Sequence, residues 1–168
     1  REEIPHRTMQ EGVVVSLAAA EAYRTACPTV GKSAGKMKHE PIQILGVTHL
    51  KGPNMWTYYP VLEALVDIGA LEDYPSNTLP GFVERLCAWI PSLIEHRCSY
   101  GERGGFVRRL QEGTWPAHIM EHVTLELQNM AGQPGGFGKA REIPKRGVYK
   151  VIVSVFHDRI TLAALTHA

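Results

Sequence analysis

Hydrophobic and polar positions divide the 168-residue chain into a short opening part and a longer, strongly patterned one. Residues 13–24 form a short alanine-rich helical pattern, followed by Cys27-Pro28-Thr29 and a loose Gly/Lys/Ser run over 31–36. Met37 comes next. Residues 1–36 therefore read as an extension with Met37 as a natural start, and 37–168 as one domain. Residues 42–47 are β-branched and bounded by Pro41 and Gly52-Pro53, which predicts a strand reaching to about residue 50. Pro60 then suits a first helical turn, residues 61–68 carry apolar side chains at helical spacing, and Gly69 suits a stop, so a helix is expected there.

The next stretch, 74–81, is loop. Helices are expected over 82–89, 91–96 (short) and 106–111, the last stopped by Gly113. Thr114-Trp115-Pro116 opens the strongest helical pattern, with Thr114 as candidate N-cap and Pro116 in the first turn. It runs over about 115–131, and Gly132 can end it. Residues 133–138 are glycine-rich loop, 148–155 a strong β run, and 161–167 a helix that stops with the chain, as a piece of something longer would. The expected fold class is α+β. It is a compact single domain with a few strands (about 42–50 and 148–155) packed against several helices, the central one at about 115–131.

Composition changes this picture little. Apolar residues make up 44% and charged residues 21%, ordinary for a globular protein, and the net charge of +1 calls for neither nucleic acid nor an acidic membrane. No apolar run approaches the roughly 20 residues that span a bilayer. Cys27, Cys87 and Cys98 contain no CxxC and make no disulfide framework, so reduced thiols in the cytoplasm are expected. Ala26-Cys-Pro-Thr-Val-Gly31-Lys32-Ser33 approaches a phosphate-binding loop. It follows a helical rather than a strand pattern, however, and two glycines and Pro41 come after it, so no nucleotide site is assigned there.

The chemistry concentrates on the central helix. At about 100° per residue, His118 and His122 project from one face on adjacent turns, where both imidazoles reach one metal ion. Glu121 stands beside them, placed to take a proton from an activated water. His118-Ile-Met-Glu121-His122 is thus the inverted zinc-peptidase pattern, and Zn2+ is the expected cofactor. A third ligand is required. Glu126 shares the face but lies about 12 Å along the helix from His118; Glu142 could fold back from the loop after Gly138; His96 and Cys98 are weaker options. The same five residues could instead be surface groups, or buried groups satisfied by hydrogen bonds. Arg97, Arg103, Arg108 and Arg109 lie near Glu95, Glu102 and Glu112. The bland reading is a solvated mixed-charge surface. The sharper one is a site for a substrate carrying both carboxylates and guanidinium groups.

A set of longer phrases resembles the N-terminal domain of cyanophycin synthetases. They are Leu50-Lys-Gly-Pro-Asn-Met-Trp56, Tyr74-Pro-Ser-Asn-Thr-Leu-Pro-Gly-Phe82, Pro91-Ser-Leu-Ile-Glu-His-Arg-Cys98, Arg103-Gly-Gly-Phe106, Gln111-Glu-Gly-Thr114, His118-Ile-Met-Glu-His-Val-Thr-Leu-Glu-Leu-Gln128, Ala131-Gly-Gln-Pro-Gly-Gly-Phe-Gly138 and Gly147-Val-Tyr149. Order and spacing both fit. The resemblance implies a cytoplasmic, homo-oligomeric ligase that makes a polymer of aspartate backbone with arginine on each side-chain carboxylate. ATP and Mg2+, with aspartate and arginine, would serve ATP-grasp and Mur-ligase-like domains that this chain does not include. For the domain itself the resemblance implies holding the polymer and, in some members, cutting it at a zinc site to make primers. Residues 1–36 match none of these phrases.

Overall fold

The computed structural model of the chain describes residues 42–133 and 136–168. The expected extension and the phosphate-loop-like run lie outside them. Four antiparallel strands form one sheet in the order β1-β2-β4-β3: β1 (Gln43–Leu50), β2 (Val61–Asp67), β3 (Gly138–Glu142) and β4 (Val148–Ser154). Four helices join them: α1 (Phe82–Trp89), α2 (Gly105–Glu112), α3 (Pro116–Met130) and α4 (Asp158–His167). Short 3-10 turns at Gly69–Asp73, Ser76–Thr78, Pro91–Glu95 and Cys98–Tyr100 link the sheet to the helices. The architecture is the expected α+β class, with α3 at its centre.

The helix expected over 61–68 is instead β2, an inner strand of the sheet. Its apolar residues satisfy both periods, and pairing on both sides decides between them: β1 and β4 each supply a full ladder. Leu62, Ala64 and Val66 alternate onto the core face, while Glu63, Leu65 and Asp67 take the other. Glu63 meets Lys150 at 2.7 Å on that second face. Pro60 opens no helix; its carbonyl accepts the Val155 N–H at 2.9 Å and closes the strand pair.

The second face is not bare. Ile152 and Val61 are fully buried there, because the loop between β1 and β2 folds back over it. Trp56 anchors that loop, donating its indole N–H to Glu63 at 2.9 Å. The Lys139 ammonium and the Arg141 guanidinium both stand 6.0 Å from its ring.

Helix α3 belongs to two cores at once. Ala117, Met120 and Leu125 pack on the sheet with Leu62, Ala64, Val66, Val151, Val153 and Leu165 of α4. Val123, with Ile119 and Leu127, packs on Leu86, Ile90, Leu93, Phe106 and Leu110 of the α1–α2 layer. The two sets lie on different flanks of one helix, Ile119, Val123 and Leu127 as an i, i+4 row and Ala117, Met120 and Leu125 on the sheet side. The polar row 118, 122, 126 runs between them, so its side chains are carried into the interior.

Two local expectations about α3 are settled differently. Thr114 is not the N-cap; Trp115 holds that position, with Pro116 at the first turn as expected. Thr114 is committed elsewhere: its N–H donates to Ser76 Oγ at 2.9 Å and its hydroxyl meets His118 Nδ1 at 2.8 Å. The C-terminal end is as expected, Gly132 taking φ +77°. Finally, residues 138–142 were expected to lie at a loop's end and beyond it, yet they form β3. Gly-Lys-Ala-Arg-Glu has weak strand propensity, and it is the ladder with β4 that holds it.

Candidate metal centre

Three donor atoms converge at the seam between the two cores. The side chains of Cys98, His118 and His122 each place a ligand atom within 4.8 Å of the other two. Both histidines come from α3. Cys98 is delivered by the 3-10 turn before α2, with its own backbone at φ +51°. Cys98 Sγ lies 3.4 Å from His118 Nε2. Neither Cys98 nor Cys87 is in a disulfide.

Hydrogen bonds orient both imidazoles. Thr114 Oγ1 and His118 Nδ1 share a hydrogen bond; with the proton on Nδ1, the Nε2 lone pair is directed at Cys98. Thr114 is itself held by Ser76, whose hydroxyl donates to the Leu110 carbonyl at 2.7 Å and whose N–H donates to the Thr114 carbonyl at 2.9 Å. His122 is oriented by a longer chain. Glu126 Oε2 accepts from His96 Nε2 at 2.8 Å, and His96 Nδ1 meets His122 Nδ1 at 2.9 Å. With the carboxylate fixing the first proton, His96 accepts from His122, and His122 Nε2 is the nitrogen left with a lone pair. Phe106 stacks on the His122 ring at 4.0 Å between centroids.

The electrostatics suit neutral ligands. Burial, and then the Arg109 charge, hold His118 down at about 4. Burial, with His118 and His96 adding to it, holds His122 at about 3. Burial also pushes the Glu126 carboxyl up, but hydrogen bonds from Ser92, His96 and Asn129 together outweigh it and leave the group below the usual range. Glu121 goes the other way. Burial lifts it to about 7, against the opposing pull of the Ala140 N–H and the Lys139 charge. A carboxyl poised near neutrality can both take and return a proton.

Glu121 is seated by β3. The Ala140 N–H donates to its carboxylate. A Cβ at Gly138 would stand 2.6 Å from Glu121 Oε1 and 2.7 Å from Leu125 Cδ1, so only glycine lets the strand come this close. The group opens into a cleft of about 590 Å³ between β3 on one side and Cys98, Arg109 and Thr114–Trp115 on the other. Tyr149 and Leu125 also line it. Tyr149 donates to Glu72 at 2.9 Å, and Trp115 donates to the Glu72 carbonyl, also at 2.9 Å.

The structure therefore places His118, His122 and Glu121 together and adds Cys98. Glu126 stands one step behind, on His96. Glu142 is exposed at the end of β3, opposite Tyr149. Of the mixed charges, Arg109 lines the cleft. Arg97 is exposed, Arg103 is in a bidentate pair with Glu95 through Nε and Nη2, and Arg108 pairs with Glu112 and Glu102 and lies over the Tyr100 ring at 4.5 Å. Sequence reasoning had no strong signal for His96 as the link between Glu126 and His122, nor for Ser76 and Thr114 as supports. The i, i+4 relation of His122 and Glu126 was the available clue.

Fold and site together define an α+β domain with a thiol–imidazole cluster and an adjacent carboxyl. The chain belongs to the cyanophycin synthase-like N-terminal domains, whose family model matches residues 63–168. It is 43% identical over 119 residues to the cyanophycin synthetase of Geminocystis herdmanii, which covers 70% of this chain and 14% of that protein. It is 45% identical over 113 residues to those of Synechocystis sp. and Crocosphaera subtropica, covering 66% of this chain and 13% of each relative. The chain thus spans only a small part of the relatives' length. Among the described residues, no helix is long and apolar enough to cross a membrane.

Proposed function

We propose that this domain holds the aspartate/arginine polymer cyanophycin and cuts it hydrolytically to make primers, as part of a larger ATP-dependent ligase. The observation that carries the reading is the convergence of Cys98, His118 and His122 beside a carboxyl lifted to about 7. The donor set fits zinc. One thiolate and two neutral imidazoles are its usual ligands, and three protein ligands leave a fourth position for chemistry. Usual Zn–S and Zn–N lengths in a tetrahedron set S···N at about 3.6 Å, close to the 3.4 Å between Cys98 and His118. Cys98, His118 and His122 would hold the ion, with Cys98 rather than Glu126 or Glu142 as third ligand. Zinc bound there supplies Lewis acidity that polarises a carbonyl and acidifies water.

The chain's own residues divide the remaining work. Glu121, held by Ala140, takes the proton of the attacking water and returns it to the leaving amine. Thr114 and the Glu126–His96 pair fix the imidazole tautomers. Arg109 stands at the cleft rim to meet a substrate carboxylate. The aspartate and arginine additions, with ATP and Mg2+, belong to domains beyond this chain, and so does the homo-oligomeric assembly of a cytoplasmic enzyme.

A second reading is a polymer-binding scaffold without metal or chemistry. It draws on the same hydrogen bonds, since His96, His118 and His122 each have a partner. Metal analysis and one substitution separate the two. The hydrolytic reading expects close to one zinc per chain, lost in Cys98→Ser and His118→Ala. It expects Glu121→Gln to keep zinc while cleavage of cyanophycin falls by roughly two to four orders of magnitude. Protein that holds no zinc and binds cyanophycin without cutting it, with Glu121→Gln indistinguishable from the parent, would leave the scaffold reading in place.

A further inference from the structure

We propose that the free edge of β3 is where the substrate is read: an extended peptide main chain docks along it as a fifth strand. This deepens, and rests on, the hydrolytic reading of Glu121 and its neighbours. β3 is the last strand in the order β1-β2-β4-β3, so one of its sides meets no further strand among the described residues. The register says what that side presents. The Ser154 N–H donates to the Phe137 carbonyl at 2.8 Å, and the Ile143 N–H donates to the Val148 carbonyl at 3.1 Å. In an antiparallel ladder this sets Lys139 and Arg141 toward β4 and turns the N–H and C=O of Gly138, Ala140 and Glu142 outward.

The bond from the Ala140 N–H to Glu121 fits this parity. The edge without a strand is therefore the edge that touches the general base. Beyond that bond, the carbonyls of Gly138 and Ala140 and both backbone groups of Glu142 face outward at a two-residue repeat of about 7 Å. That is the template an extended chain needs. Gly138 and Ala140 bring almost no side chain to obstruct it, and both line the cleft that holds Cys98, His118 and His122. Lys139 and Arg141 project to the face covered by Trp56. A docked strand sets alternate side chains beside these two cations, which favours side chains that end in carboxylates, as the arginine-capped aspartates of the polymer do. The other edge of the sheet, β1, lies on the far side of β2 from β4 and away from the cleft.

The test is a backbone N-methyl scan. A synthetic aspartate decamer with arginine on each side-chain carboxylate is methylated at one amide at a time, and its binding to the full-length Glu121→Gln chain is measured by calorimetry. Strand docking expects losses at every second amide, each roughly three- to tenfold in Kd. A flat profile, or losses without the two-residue period, overturns it. Glu142→Pro removes an outward N–H without touching the β4 ladder, so the same peptide should bind more weakly while the melting temperature is unchanged. If Glu142→Pro instead dissolves a dimer and leaves peptide affinity intact, the edge serves a second copy of the chain and the inference falls. A periodic profile from a protein without zinc or cleavage would remove the hydrolytic reading and keep the docking edge. Zinc and cleavage with a flat profile would do the reverse.

Discussion

Glu121 and the two histidines make the metal-free protein sensitive to acid in a direction that can be worked out. His118 at about 4 and His122 at about 3 stand below their ordinary value of 6.5, so the unfolded chain takes up these protons first as pH falls. Their contribution is present above about 6.5 and is lost on acidification. Glu121 is raised from 4.5 to about 7 and opposes this, its contribution being full below 4.5 and lost as pH rises to 7. Two protons against one leave a net loss of stability from about pH 6.5 down to 4.5, of about 1.4 kcal/mol per pH unit. Urea unfolding of chelator-treated protein at several pH values measures it, and Glu121→Gln should make the slope steeper. Gly138 yields a second outcome at this scale. In Gly138→Ala the new methyl displaces the flexible end of Glu121 from the Ala140 amide. Because that methyl also presses on the buried Leu125, the melting temperature should drop, and cleavage should fall at least tenfold while zinc content stays near the parent value.

At the scale of elements, the helices were largely legible and the sheet was half legible. Helix α3 carries its own punctuation, Pro116 at the start and Gly132 past the end, and its two apolar flanks repeat at helical spacing. β1 and β4 are long and β-branched. β2 was misread because seven residues with apolar side chains at 61, 62, 64, 65 and 66 fit either period, and only partners on both sides choose. β3 was missed because its glycine, alanine and charged residues carry no strand signal; it exists by pairing with β4. The same holds for the site. The i, i+4 histidines and their glutamate belong to one helix and could be read directly. Cys98 sits 20 positions before His118 on a different layer, so its arrival at the group depends on how α2 packs on α3. His96 could be seen as a candidate, but its place between Glu126 and His122 is a tertiary fact. The phrase Tyr74-Pro-Ser-Asn owes its place to Ser76 and Asn77, which hold the Leu110 and Glu112 carbonyls and so fix the approach to Thr114.

At the scale of the whole molecule, α3 is the wall shared by two cores, and the donor atoms stand where those cores meet. His118 and His122 belong to the wall; Cys98 belongs to the α1–α2 layer, which the described contacts join to the sheet chiefly through α3. An ion held by all three would be a rivet as well as a reagent. Withdrawing it should leave the sheet's amides as slow to exchange with deuterium as before, while those of residues 82–112 exchange faster. Peptide-resolved hydrogen exchange with and without a chelator distinguishes this from uniform loosening. The layer that delivers Cys98 would then be able to sense whether the site is loaded, and metal supply would set how firmly one half of the domain is fastened to the other.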